Sequence, residues 1–114
     1  MVIELRQHED LEHLLERSRT DPILIFKHST QCSVSSAAYE EFLQFESEAT
    51  EVPCGLVLVI ENRRLSNVIE AELGVRHESP QAIVVENRRQ TWYASHWSIS
   101  ADVLNQAIKK PAKG

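Results

Sequence analysis

The residue with the clearest chemical potential is a cysteine that lies between a strand-like run and a helix-like run. Cys32 follows the apolar stretch Pro22–Phe26 and the polar segment KHST, and it precedes the helix-like stretch Ala37–Phe45. Three residues after the cysteine stands Ser35, so the motif is CxxS and not CxxC. A serine cannot resolve a mixed disulfide. The motif therefore excludes a dithiol reductase cycle at this site and leaves one-thiol exchange open.

The position of Cys32 at the start of a helix gives the thiol a physical reason to react. Unpaired N–H groups and the positive end of the helix dipole favour the thiolate over the thiol. Lys27 and His28 are expected to add positive charge nearby. The alternative is an inert, half-buried cysteine, which the polar flanks KHST and SVSS disfavour. Ser35 is also compatible with a capping role in the same helix.

The second cysteine, Cys54, opens an apolar strand and is expected to be a small buried hydrophobe. The predicted topology places it at the opposite edge of the sheet from Cys32, roughly 15 Å away. A disulfide needs Cα atoms within about 7 Å, so the two cysteines should not pair. The two cysteines and five histidines show no metal-binding spacing, and we predict no metal.

Hydrophobic periodicity predicts alternating strands and helices along the chain. The expected strands are Val2–Leu5, Ile23–Phe26, Leu56–Ile60, Ala82–Val85 and Thr91–Ser95, the last two joined by the polar residues 86–90. The expected helices are Leu11–Arg19 capped by Asp10, Ala37–Ala49, Leu65–Leu73 capped by Ser66 and stopped by Gly74, and a last helix from Ser100 to Ile108. This order predicts an α/β, thioredoxin-like fold with a central mixed four-stranded sheet, to which Val2–Leu5 can add a short fifth strand, flanked by helices.

Length and charge set further limits on the protein. The 114 residues suit one domain, expected over residues 1–110, with residues 111–114 as a flexible C-terminal tail. The net charge of −5 and the lack of a basic stripe argue against nucleic acid or an anionic membrane as a partner. No apolar run approaches the ~18 residues of a membrane span, and the first residues do not resemble a signal peptide. We therefore expect a cytoplasmic protein.

The predicted topology brings distant residues to the edge of the sheet where Cys32 lies. Ser79-Pro80, just before an antiparallel strand, should face Cys32 and forms a candidate cis bond whose turn can present the Ser79 backbone to a substrate. The end of the hairpin brings His96 and Trp97 to the same edge, although Trp97 could instead pack against the last helix.

Histidines near this edge could tune the thiol or bind an anionic adduct, but a solvent-facing or internally satisfied histidine is the commoner outcome. The complete set of predicted substrate-binding residues is Lys27, His28, Ser35, His77, Ser79, Pro80, His96 and Trp97.

Four segments taken together resemble a known family. The segments are HSTQCSVS with the following AYEEF, then SNVIEAELGVRHESPQ, then ASHW and the final helix. They resemble the monothiol bacilliredoxins of the thioredoxin-like superfamily, the YtxJ type, over nearly the whole chain from Val2 to about Ile108. One position departs from the family pattern, because Ser33 stands where a proline commonly follows the cysteine.

The resemblance implies a specific thiol–disulfide oxidoreductase. Cys32 would attack the mixed disulfide of an S-bacillithiolated client protein, take the bacillithiol onto its own sulfur and release the client thiol. A second molecule of bacillithiol, a low-molecular-weight thiol that serves as co-substrate, would regenerate Cys32 without any bound cofactor. The resemblance also implies that Pro80 is the cis proline of the superfamily.

Other functions remain open from the sequence. One is a glutaredoxin-like protein that uses glutathione or holds an iron–sulfur cluster on Cys32 with a small thiol. Another is a non-enzymatic thioredoxin-fold adaptor or redox sensor that binds partners through the edge at His96 and Trp97.

Overall fold

The fold is a five-stranded mixed sheet with two helices on each face. A computed structural model describes residues 2–109 of the chain. The elements are β1 (Val2–Glu4), α1 (His8–Arg17), β2 (Ile23–His28), α2 (Ser33–Glu48), β3 (Cys54–Leu58), α3 (Arg63–Leu73), β4 (Gln81–Glu86), β5 (Arg89–Ser95), a 3₁₀ turn (His96–Ser98) and α4 (Ala101–Lys109). The predicted tail at residues 111–114 lies outside the described residues.

The strand order is β1-β3-β2-β4-β5. Strands β1 and β2 both run parallel to β3, whereas β4 runs antiparallel to β2 and β5 runs antiparallel to β4. The predicted mixed sheet is confirmed, and the N-terminal segment does form the fifth strand. No helix within residues 2–109 is long and apolar enough to cross a membrane.

The central strand β2 determines which residues reach each face. All six of its residues are buried, and neighbouring side chains in a strand point to opposite faces. Ile23 and Ile25 join the core under α1 and α3. Leu24 and Phe26 join the core under α2 and α4. The alternation then continues past the predicted end of the strand, so that Lys27 points to the α3 face and the next residue to the α2 face.

Two predicted helix caps are wrong. Helix α1 starts at His8 and not after Asp10. Asp10 lies inside its first turn, where the carboxylate accepts the N–H groups of Arg6 and Gln7. Helix α3 starts at Arg63, so Ser66 is not a cap but a buried residue within the helix.

Other helix boundaries fall close to their predicted places. Gly74 ends α3 in the left-handed conformation, with φ of 68°, as predicted. At the start of α4, the Ser100 hydroxyl accepts the N–H of Val103. Helix α2 starts at Ser33, earlier than predicted, because the polar residues after Cys32 are already helical.

The strand boundaries shift in two places. Strand β3 occupies Cys54–Leu58 rather than Leu56–Ile60. The β4–β5 hairpin has a turn of only two residues, Asn87 and Arg88, rather than a loop over residues 86–90. Both turn residues have positive φ, 51° and 65°, as in a type I′ hairpin turn.

Candidate active site

Cys32 lies immediately after the loop that leaves β2, and it is the N-cap residue of α2. Its side chain is partly exposed. The first N–H groups of a helix have no acceptor within the helix, and the Cys32 side chain does not cap them here. These donors and the positive end of the helix dipole therefore lie at the end of α2 that carries Cys32.

Ser35, the last position of the CxxS motif, is fully buried. Its Oγ accepts the Ser29 N–H at 2.8 Å and lies 2.8 Å from His28 Nδ1. The hydroxyl therefore joins the first turn of α2 to the loop before it. It fixes the loop that precedes Cys32. It does not cap the helix, the other role that the sequence allowed for Ser35.

His28 is enclosed on the α2 face of the sheet. Its ring stacks on the ring of Tyr39, with centroids 4.5 Å apart and planes 12° apart. Burial lowers the pKa of His28 below its ordinary value of 6.5, although Glu61 acts in the opposite direction. The ring is therefore neutral near pH 7 and does not supply the positive charge that the sequence led us to expect beside Cys32.

Lys27 points to the opposite face of the sheet and is completely buried. Its ammonium nitrogen lies 3.1 Å from His77 Nδ1 and 3.5 Å from the carbonyl oxygen of Ser66. Burial lowers the pKa of Lys27 to about 8, even though Glu70 raises it. Lys27 therefore does not supply the positive charge that was expected beside Cys32, because its ammonium is engaged under α3.

The Ser79–Pro80 peptide bond is cis and leads directly into β4. The first residue of β4, Gln81, is paired with Lys27 of β2 on one side and with Ser95 of β5 on the other. The loop after β2, the cis proline and the end of β5 thus meet at one edge of the sheet, as the topology predicted. Ser79 Oγ is buried and has no hydrogen-bond partner among the described residues.

His96 and Trp97 form part of the 3₁₀ turn after β5. The His96 N–H donates to the Pro80 carbonyl oxygen at 3.0 Å, and His96 has a positive φ of 56°. Trp97 is 75% exposed, so it does not pack under the last helix. The turn is held against the cis proline, and the indole of Trp97 faces solvent.

His77 precedes Pro80 in the same loop, but its Nδ1 faces the protein interior. Ser66 Oγ lies 2.9 Å from this atom, and the ammonium of Lys27 is the other neighbour. Burial and the charge of Lys27 lower the pKa of His77. The sequence did not identify Ser66 or Gln81 as parts of this region, since each is a single polar residue in an otherwise ordinary helix or strand pattern.

Cys54 lies at the other end of the sheet. It is paired with Leu24 at the beginning of β2, whereas Cys32 follows the end of that strand. Four residues of strand separate the two ends by roughly 13 Å. Burial raises the pKa of Cys54 to about 12, and both cysteines are free thiols.

One group of side chains among residues 2–109 could offer three metal ligands. His8, Glu12 and Glu72 lie close together at the surface between α1 and α3. Glu72 already contacts His8 at 2.9 Å, and Glu12 accepts two hydrogen bonds from Arg88. The expected absence of a metal remains a prediction.

A family model described as monothiol bacilliredoxin BrxC matches residues 3–104 of the chain, a range that includes Cys32, Ser35 and Pro80. The chain belongs to the monothiol bacilliredoxin family. This agrees with the resemblance seen in the sequence.

Solved structures support the same fold for this bacilliredoxin. A protein described as a suspected oxidoreductase with a thioredoxin fold is 31% identical, with a TM-score of 0.84 over 93% of this chain and 92% of that chain. Thioredoxin from Fasciola hepatica is 16% identical, with a TM-score of 0.75 over 92% of this chain and 94% of its own. Thioredoxin from Trypanosoma brucei brucei is 11% identical, with a TM-score of 0.77 over 96% and 88%. The thioredoxin fold and the family together give the protein a thiol redox role.

Proposed function

We propose that this protein removes bacillithiol from S-bacillithiolated client proteins by a monothiol exchange at Cys32. The observation that carries the proposal is the position of Cys32 at a helix start with no second thiol in reach. The last position of its motif is the buried Ser35, and Cys54 opens β3 at the far end of the sheet. An adduct on Cys32 must therefore be resolved by a thiol from another molecule.

The exchange takes place in two steps that balance without a bound cofactor. The Cys32 thiolate attacks the bacillithiol sulfur of the mixed disulfide, a new S–S bond forms, and the client thiolate leaves and takes up a proton. The thiolate of a second bacillithiol then attacks the bacillithiol sulfur on Cys32. This second step yields bacillithiol disulfide and restores the Cys32 thiolate, which completes the cycle.

The residues at the edge of the sheet have separate roles in this proposal. The N–H groups of the first turn of α2 lie at the end of the helix that carries Cys32, and Ser33 contributes one that a proline would lack. The backbone at Ser79 and the ring of Pro80 receive the disulfide substrate. His96 and Trp97 form the exposed rim that contacts the client protein or the adduct.

The other four predicted site residues act on the shape of the site. His28 and Ser35 hold the loop before Cys32 from the α2 face. Lys27 and His77 meet on the α3 face. We expect none of these four side chains to touch the reacting sulfur atoms, because one polar atom of each is already engaged inside the protein.

The experiment compares the wild type with Cys32→Ala and Cys54→Ala on a bacillithiolated client protein, followed by intact mass spectrometry. We expect the wild type and Cys54→Ala to release the client thiol and Cys32→Ala to be inactive. Full activity of Cys32→Ala would overturn the proposal.

A second arm exposes the protein to oxidised bacillithiol and, separately, to oxidised glutathione. An adduct on Cys32 from glutathione alone would replace bacillithiol with glutathione as the co-substrate. No adduct from either disulfide would favour the adaptor or sensor function. Visible absorbance after anaerobic reconstitution with iron and sulfide would favour the iron–sulfur alternative.

A further inference from the structure

The loop that joins α3 to β4, residues 74–80, carries Ser79 and the cis Pro80 to the edge of the sheet. Its middle is anchored in two ways. The His77 N–H donates to Glu70 Oε2 at 2.9 Å, and Gln81 Nε2 donates to the Arg76 carbonyl oxygen at 2.9 Å. These bonds hold the backbone of residues 76 and 77 from α3 and from β4.

The His77 ring provides a third anchor, and its partner is unusual. Nδ1 lies 3.1 Å from the ammonium of Lys27, a side chain with no exposed surface, and 2.9 Å from Ser66 Oγ. An ammonium can only donate hydrogen bonds, so Nδ1 must be the unprotonated acceptor and the ring proton must be on Nε2. The lowered pKa of His77 agrees with this neutral form.

Lys27 depends on His77 more than a surface lysine would depend on any single partner. Its other acceptor is the Ser66 carbonyl oxygen at 3.5 Å, and no described carboxylate lies within salt-bridge distance. The other charged groups that act on the pKa values of this pair are Glu70 and Arg63 from α3 and Glu78 from the loop. A buried ammonium that loses a hydrogen-bond partner is strongly destabilised. The loop conformation that keeps His77 against Lys27 is therefore favoured over conformations that separate them.

We infer that Lys27 is a positioning residue for exchange at Cys32: its buried ammonium fixes His77, and His77 fixes the backbone that leads to Ser79 and Pro80. The inference rests on the proposed function, in which the disulfide substrate binds against the Pro80 loop. Lys27 does not contact the substrate. Its effect is restricted to partners that need the loop, and a small reagent that reaches Cys32 directly should not sense it.

The test compares Lys27→Met with Lys109→Met, which removes an exposed lysine at the end of α4. Each protein reacts with a bacillithiolated client protein and, separately, with iodoacetamide. We expect Lys27→Met to lose about tenfold or more in the rate of exchange, as misplaced binding geometry does, and to alkylate at the wild-type rate. Lys109→Met should match the wild type in both reactions. An equal fall in alkylation would overturn the inference, because it would place the effect at Cys32 itself.

A second pair of variants tests the route through His77. His77→Asn keeps an acceptor near the position of Nδ1, whereas His77→Leu removes it. We expect His77→Leu to behave like Lys27→Met and His77→Asn to recover most of the exchange rate. Equal rates for the two His77 variants would overturn the inference.

Amide hydrogen exchange supplies a readout that does not depend on the substrate. We expect faster exchange at residues 76–79 in Lys27→Met than in the wild type and in Lys109→Met. Unchanged protection would overturn the inference even if client exchange slowed. If the wild type shows no exchange with the client, the proposed function fails, while the hydrogen-exchange comparison still decides whether Lys27 holds the loop.

Discussion

Replacing Lys27 with methionine should change how the stability of the protein depends on pH. Burial lowers the pKa of Lys27 from 10.5 to about 8. Between these two values the unfolded chain keeps the lysine proton while the folded protein releases it. The unfolded state therefore binds more protons in this window, and the free energy of unfolding rises with pH. Lys27→Met has no such group and should not gain this stability.

The size of the effect follows from the same two pKa values. The difference between 10.5 and about 8, at about 1.4 kcal/mol for each pKa unit, corresponds to about 3 kcal/mol. Relative to Lys27→Met, the wild type should gain this amount between about pH 8 and pH 10.5. Below pH 8 both states hold the proton, so the difference between the two proteins should be constant there.

Urea unfolding of both proteins at a series of pH values from 7 to about 10.5 measures the difference directly. Other groups titrate in this range, but they are common to both proteins and cancel in the comparison. Lys109→Met, which removes an exposed lysine, should follow the wild-type curve. A constant difference between the wild type and Lys27→Met across the whole range would refute the argument, since Lys27 would then titrate alike in the folded and unfolded states.

Three further experiments test separate parts of the structure. Ser35→Ala should lower the free energy of unfolding by about 1–3 kcal/mol in urea, because the buried His28 ring and the partly buried Ser29 N–H lose their partner, while the exposed Ser36→Ala should not. Ellman's reagent should label one thiol in the native protein and two in guanidinium chloride, because burial raises the pKa of Cys54 to about 12; rapid labelling of two native thiols would contradict this. Gly55→Ala should lower the free energy of unfolding by about 1–3 kcal/mol in the same urea assay, since the new methyl group would lie 2.7 Å from Leu14 Cδ2. Unchanged stability would contradict this, because it would mean that the core rearranges without cost.

The strands could be predicted from the sequence wherever burial is signalled by apolar residues alone. Ile23–Phe26 was identified for this reason, but β2 continues to His28. The two added residues are polar and fully or nearly buried. Their partners, Ser35 and His77, come from α2 and from the loop before β4, so no local pattern shows that a charged side chain will be enclosed.

The two helix caps were mispredicted for related reasons. Asp10 does make the expected kind of bond to backbone N–H groups, but it reaches back to them from inside the helix. Ser66 faces His77, a residue eleven positions later, and is not at the helix start at all. Residue type indicates that a side chain will bond to the backbone or to another polar group, whereas tertiary packing decides which one.

The gathering of Cys32, Pro80 and His96 at one edge could be predicted because it depends only on strand order and direction. The electrostatics could not be predicted in the same way. Lys27 and His28 are neighbours in sequence, yet the alternation of the strand sends them to opposite faces, and burial removes the expected charge of His28. Such effects depend on where β2 ends, and element ends are the least secure part of a sequence prediction.

The buried hydroxyl of Ser35 has a consequence for attempts to convert this site into a dithiol. A sulfur atom there would be larger than the oxygen it replaces and a weaker hydrogen-bond acceptor. The N–H of Ser29 and the ring of His28 would lose the atom that now joins them. The same position cannot both hold the loop and donate a resolving thiol. The lack of a second thiol in the CxxS motif is therefore tied to the way the loop is held, because a Ser35→Cys variant would weaken the bonds that Ser35 now makes to that loop.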